Sequence, residues 1–164
     1  MTQENTTQEA LSKESQATFD KILAAVSSGE MTLQQATGIT EEQLEAMYSV
    51  AYNLFANEKY QDAIDAFSLL QTIAPMNYKI AFGLAASLQM LEKYIEAIIL
   101  FTFTSSLEEK NPAPMLHLAE CYMAVDDKAA AVHSLKLVLE RCDNSSLGNA
   151  IRTRAEIMLE NIEG

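Results

Sequence analysis

Residues 44–77 read LEAMYSVAYNLFANEKYQDAIDAFSLLQTIAPMN, and residues 78–111, YKIAFGLAASLQMLEKYIEAIILFTFTSSLEEKN, put like side chains at like positions. Ala63, Ala97 and Ala131 lie 34 apart, and four residues on, Phe67, Phe101 and Leu135 keep the interval. Ala51, Ala85 and Ala119 form a further set, with Val50, Leu84 and Leu118 beside them and Met47, Ala81 and Met115 three residues before those. Tyr60 and Tyr94 match, and Lys128 breaks that set. Self-similarity at one fixed period is the mark of a repeat architecture. Within a unit, Met47, Val50, Ala51 and Leu54, then Ala63, Ile64, Phe67 and Leu70, make two stripes at helical spacing, so each unit is expected to be a pair of antiparallel helices. The matched Ala let the helices approach closely, and Phe or Leu fills the layer between units. Units join at Ala74-Pro75-Met76-Asn77 and Asn111-Pro112-Ala113-Pro114, where proline ends one helix and can open the next.

Outward from that stretch, the composition agrees. A chain of 164 residues with five Gly and three Pro has too little punctuation for an all-β fold or a Pro/Gly-rich disordered one. The expected class is all-α. Eleven basic against 23 acidic residues give a formal charge of −12, which repels phosphate backbones and anionic lipid, so neither nucleic acid nor a membrane surface is an expected partner. The longest apolar stretch, around Ala97 to Phe103, is far below the roughly 20 residues of a membrane span. Two Cys make no disulfide framework, and MTQENTTQEA has neither a basic nor an apolar signal region, which makes a reducing cytosol the expected compartment. Eight Met with no Trp is a skewed way to supply hydrophobic bulk.

Residues 1–12 are polar and unpatterned, and are expected to be disordered. Residues 13–43 read as an N-terminal helical segment, with a short helix on Phe19, Ile22, Leu23 and Val26 that closes near Gly29. Gly38 breaks the chain again, and Thr40 with Gln43 reads as a capping box for the first repeat helix. Three repeats then occupy 44–145. Residues 146–164 carry Ala150, Ile151, Ala155, Ile157, Met158, Leu159 and Ile162 and read as a terminal helix that caps the open end of the stack.

Chemistry finds little support. The glycines at 29, 38, 83, 148 and 164 are isolated, so no phosphate-cradling loop exists. His117 and Cys121 stand at i, i+4, but zinc needs three or four ligands, and His133 and Cys142 fall on another helix. The expectation is no catalytic residue, no metal and no cofactor. His117 and Cys121 are better read as packed side chains.

With Leu44 as position 1, the small residues at positions 8 and 20, the large one at 24 and Pro75 at 32 resemble the tetratricopeptide repeat. The signature Trp at position 4 is replaced by Met47, Ala81 and Met115, and the Tyr at position 11 survives as Tyr122. The resemblance implies a right-handed solenoid whose groove is lined by Glu45, Tyr48, Tyr52, Phe55 and Ala56, then Lys79, Phe82, Ala86, Gln89 and Met90, then Ala113, Leu116, Glu120, Met123 and Ala124. Most of these are aromatic or apolar, and an apolar patch of this kind marks a partner site. The carboxylate clamp with which some tetratricopeptide domains hold acidic chaperone tails is absent, since Tyr48, Tyr52, Gly83, Ala113 and His117 stand where it needs Lys, Asn and Arg.

The stretches TLQQATGIT, EAMYSVAYNLFANEKYQDAIDAFSLL, IAFGLAASLQMLEKYIEAI and HLAECYMAVDDKAAAV are similar to the class II chaperones of bacterial type III secretion. The Tyr48/Tyr52 pair, the block of Gly83, Leu84 and Gln89, and Ala119-Glu120-Cys121 carry the likeness; Glu58 departs from it, standing where a Gly is common. It implies a non-enzymatic cytoplasmic chaperone that holds membrane-inserting translocators by an extended segment in the groove. Tyr48, Tyr52, Phe55, Phe82, Ala86, Met90, Leu116 and Met123 are the expected walls, and Lys79, Gln89 and Glu120 the expected hydrogen-bonding groups. It also implies a homodimer to which the N-terminal helix contributes through Phe19, Ile22, Leu23 and Val26. The alternative is a tetratricopeptide adaptor whose groove is filled internally and whose convex face binds.

Overall fold

The structure, a computed structural model, describes residues 16–163; the disorder expected for 1–12 lies outside them. The chain divides into two compact units, one ending at Leu44 and one beginning at Glu45. Among the described residues every regular element is helical.

In the first unit, helix α1 spans 16–28 and α2 spans Leu33–Thr37. Both end on a glycine in the left-handed region, Gly29 at φ 79° and Gly38 at φ 69°, a conformation in which any side chain would crowd the backbone. Helix α2 was not expected. Its signal is local: the Thr32 hydroxyl accepts from the Gln35 N–H at 3.1 Å while the Gln35 side chain accepts from the Thr32 N–H at 2.9 Å, a capping box that satisfies two otherwise orphaned donors. The same reciprocal pair recurs between Thr40 and Gln43, at 3.2 and 2.9 Å, and opens α3, Glu41–Ala56.

The second unit continues α3 and adds α4 (Tyr60–Ile73), α5 (Tyr78–Met90), α6 (Tyr94–Leu107), α7 (Ala113–Ala124), α8 (Lys128–Arg141) and α9 (Ser146–Glu163). The 34-residue sets become layers of its core. Ala51, Ala85, Ala119, Ala63, Ala97 and Ala131 have no exposed surface, and Phe67, Phe101 and Leu135 are at most 1% exposed. A methyl at each matched position lets the helix axes close up, and each buried ring or Leu adds about 2–3 kcal/mol of transfer free energy. Of the residues beside the Ala, Leu84 and Leu118 are buried, while Val50 is exposed.

The turns inside each pair repeat as well. Glu58, Glu92 and Asp126, again 34 apart, sit at φ 60°, 58° and 62°. The next N–H in each turn reaches back to the end of the preceding helix, Lys59 to the Leu54 carbonyl at 3.0 Å, Lys93 to Leu88 at 2.9 Å and Asp127 to Tyr122 at 2.8 Å. This is the reversal with which helices end on a left-handed residue, made here without glycine. Between pairs, Asn77 caps α5 by accepting from the Ile80 N–H at 3.3 Å, and Pro114 falls in the first turn of α7.

Consecutive helices from α4 to α9 pack on one another. In addition α5 approaches α7 and α7 approaches α9, whereas α4 and α6, and likewise α6 and α8, stay apart. First helices therefore crowd together and second helices fan out, which curves the stack and puts α3, α5, α7 and α9 on its inner side. The second unit is thus an all-α solenoid of stacked helix pairs, ending in α9.

Candidate partner-binding face

The inner side is built from positions of α3, α5 and α7 that turn away from the buried Ala layers. On α3, Tyr48 and Tyr52 are one helical turn apart and stack at 6.3 Å between ring centroids. Tyr48 also leans on the buried Phe67 at 5.8 Å, so its ring is fixed from beneath; burial, aided by the Glu45 charge and by Tyr52, raises its phenol above the usual range. Tyr52 is 53% exposed. Phe55 is half-buried against Tyr60, 5.6 Å away edge to face.

Helix α5 brings Phe82 up between Tyr78 and Phe101, at 5.6 and 5.5 Å. Next to Phe82 the floor is made of Gly83 and Ala86, both half-buried, and further along Met90 is 50% exposed. Gly83 is required by close approach: a Cβ there would stand 2.5 Å from the ring of Phe67. On α7, Met123 is 36% exposed. Rigid aromatic rings and adaptable methionines round a small-residue floor suit an apolar, shape-tolerant contact.

Of the expected walls, Leu116 is only 5% exposed and packs into the core. Two of the expected hydrogen-bonding groups, Gln89 and Glu120, are engaged with each other. The Gln89 amide donates to Glu120 Oε2 at 2.9 Å, and its oxygen then faces His117 Nδ1 at 2.8 Å. An acceptor there places a proton on Nδ1. The same nitrogen lies 3.4 Å from Glu120 Oε2, and Arg154 from α9 reaches Glu120 Oε1 at 2.6 Å. Burial opposes ionisation of Glu120, but hydrogen bonds from His117 and Gln89 and the nearby charges of His117 and Arg154 outweigh it and hold the carboxyl below the usual carboxylate range.

His117 both packs against rings and joins the polar contacts of the face. Its ring stacks on Phe101 at 5.0 Å and 11° and meets Phe82 edge-on at 5.3 Å. Arg154 is not among the expected site residues, although it stands 34 residues after Glu120. Lys79 remains exposed: it makes a 3.5 Å pair with Glu45 and sits 5.8 Å from the centre of the Tyr48 ring, contacts of small worth at such exposure.

Elsewhere, Cys121 and Cys142 are free thiols. Burial, with the Glu120 charge, pushes Cys121 up to about 12. Among the described residues, no cluster of His, Cys, Asp and Glu could hold a metal, and no helix is long and apolar enough to cross a membrane. In the first unit, α1 exposes Phe19 at 59% and Leu23 at 52%, with Ile22 and Val26 half-buried.

The tetratricopeptide repeat family matches residues 44–77 and 81–111. Low calcium response locus protein H of Yersinia pestis is 29% identical over 132 residues, 80% of this chain and 79% of that protein. The Yersinia enterocolitica type III secretion chaperone SycD, solved in complex with a peptide of the translocator YopD, is 30% identical with a TM-score of 0.73, over 76% of this chain and 95% of SycD. SycD is also known in an alternative dimer. PcrH, solved with the chaperone binding region of PopD, is 25% identical with a TM-score of 0.74, over 77% of this chain and 95% of PcrH.

Proposed function

The chain belongs to the translocator chaperones of type III secretion, and on that premise we propose that it holds an extended apolar segment of a translocator against the face presented by α3, α5 and α7. The observation that carries this reading is the exposure of Tyr52, Met90 and Met123 on one side of the stack, beside the half-buried Tyr48, Phe55, Phe82 and Ala86. Such surface is costly in water and is relieved when a partner covers it. A translocator carries segments meant for a bilayer, and a binder with matching pockets lowers their tendency to associate in water. The role needs no catalytic group, and it belongs in the bacterial cytoplasm, before export. Lys79 supplies a polar edge.

The chain works as a homodimer, with Phe19, Ile22, Leu23 and Val26 of α1 in the contact. Their support is the exposure of Phe19 and Leu23, two large apolar side chains on consecutive turns of one helix.

Tyr52→Ala tests the groove. Tyr52 contacts only its neighbour Tyr48 among the rings, so the variant keeps its helicity and melting temperature. Affinity for a labelled translocator segment falls about tenfold or more, as for a buried aromatic anchor. Unchanged affinity refutes the reading.

A further inference from the structure

We propose that α9 is a working wall of the binding face, and that Arg154 hydrogen-bonds a backbone carbonyl of the bound segment; this rests on the groove reading above. The 34-residue register does not stop at the third repeat. Tyr52, Ala86, Glu120 and Arg154 are successive members of one column. The neighbouring column runs Asn53, Ser87, Cys121 and Ala155, and its last three members have no exposed surface, so α9 turns that column inward as α5 and α7 do, although Thr153, next in the column of Ala51, Ala85 and Ala119, is exposed. The approach of α9 to α7, like that of α7 to α5, says the same.

The side chain lies across the inner face. Arg154 Nη2 reaches Glu120 Oε1 at 2.6 Å, yet the arginine side chain is 60% exposed, against 18% for the glutamate. A guanidinium has five N–H donors in a fixed fork, and the Glu120 contact runs through one nitrogen. The remaining donors belong to a side chain that is mostly exposed, beside Glu120 of α7. Gln89 is engaged with Glu120 and His117, and the exposed Lys79 lies over the Tyr48 ring beside Glu45 of α3. An extended segment laid on apolar walls brings carbonyl groups that need donors. A neutral carbonyl also suits the site better than a client carboxylate, because Glu120 already neutralises the guanidinium and the chain carries −12 overall.

The probes are fluorescent synthetic segments of the PopD chaperone binding region and of the YopD peptide held by SycD, titrated by anisotropy against the full chain. Arg154→Ala weakens the best-bound segment about tenfold, Arg154→Lys about threefold, and both keep wild-type helicity. The loss from Arg154→Ala is the same in 50 mM and 500 mM NaCl. Should Arg154→Ala bind as wild type, or its deficit vanish at high salt, the carbonyl contact is refuted, the second outcome in favour of a client carboxylate. Failure of the wild-type chain to bind any segment refutes the groove reading, and the inference with it.

Discussion

Replacing Gly83 with alanine sets two local rules against each other. Gly83 lies inside α5, where exchange of Gly for Ala ordinarily stabilises a helix by about 0.5–1 kcal/mol. Here the added Cβ would meet the Phe67 ring at Cζ, Cε1 and Cε2, at 2.5, 2.7 and 2.9 Å, against ordinary carbon contacts of about 3.5–4 Å. One member must retreat by about 1 Å, and Phe67 has nowhere to go: it is 1% exposed, with the Tyr48 ring on another side at 5.8 Å. Overpacking of this order costs about 1–3 kcal/mol. Net of the helical gain, Gly83→Ala destabilises by about 1–2 kcal/mol, or roughly 2–8 °C in Tm for a chain of this size. Thermal unfolding followed by circular dichroism measures it. Gly83→Ala with Phe67→Leu, which removes the clashing ring edge, recovers part of the loss relative to Phe67→Leu alone. A Tm for Gly83→Ala at or above wild type refutes the packing argument.

The Glu120 carboxyl ionises below the usual range in the folded chain, so its contribution is fully present above the ordinary carboxylate value of about 4.3 and is lost as pH falls through the lower folded value. The Tm gap between wild type and Glu120→Gln is therefore open at pH 5 and closes as the pH falls below the ordinary carboxylate value; a gap that widens in acid contradicts the network. With Cys121 pushed up to about 12 and buried, a pulse of iodoacetamide at pH 8 followed by mass spectrometry labels Cys142 first and Cys121 only on unfolding; equal labelling refutes the burial. Glu92 holds a left-handed conformation at φ 58°, which costs a residue with a Cβ about 1–2 kcal/mol, so Glu92→Gly raises Tm by roughly 1–3 °C, and a lower Tm counts against strain at that turn.

What could be read from the letters was whatever obeys the period. The buried Ala columns, the rings of Phe67 and Phe101 and the Thr40–Gln43 box follow from spacing and local chemistry, because repeated packing demands repeated side chains. Helix α2 escaped notice for want of an apolar stripe long enough to register, although Thr32 and Gln35 carried its start. On the proposed binding face, aromatic and methionine positions form columns in the sequence, but how deep each side chain sits does not follow from the column. Leu116 shares its column with Tyr48 and Phe82 and is nonetheless buried. The bonds among Gln89, His117, Glu120 and Arg154 join residues 28 to 34 apart or at i, i+3, and no single-helix pattern announces which polar side chains will choose one another.

The habit of each helix to pack on its neighbours in sequence, from α4 through α9, also governs how the chain comes together in time. Every docking event closes a short loop, so none waits on a distant segment, and low contact order of this kind goes with fast folding. On a ribosome, the rings of α3 and α5 can be in place before α7 and α9 have been synthesised, and the arginine that α9 lays across the face arrives last.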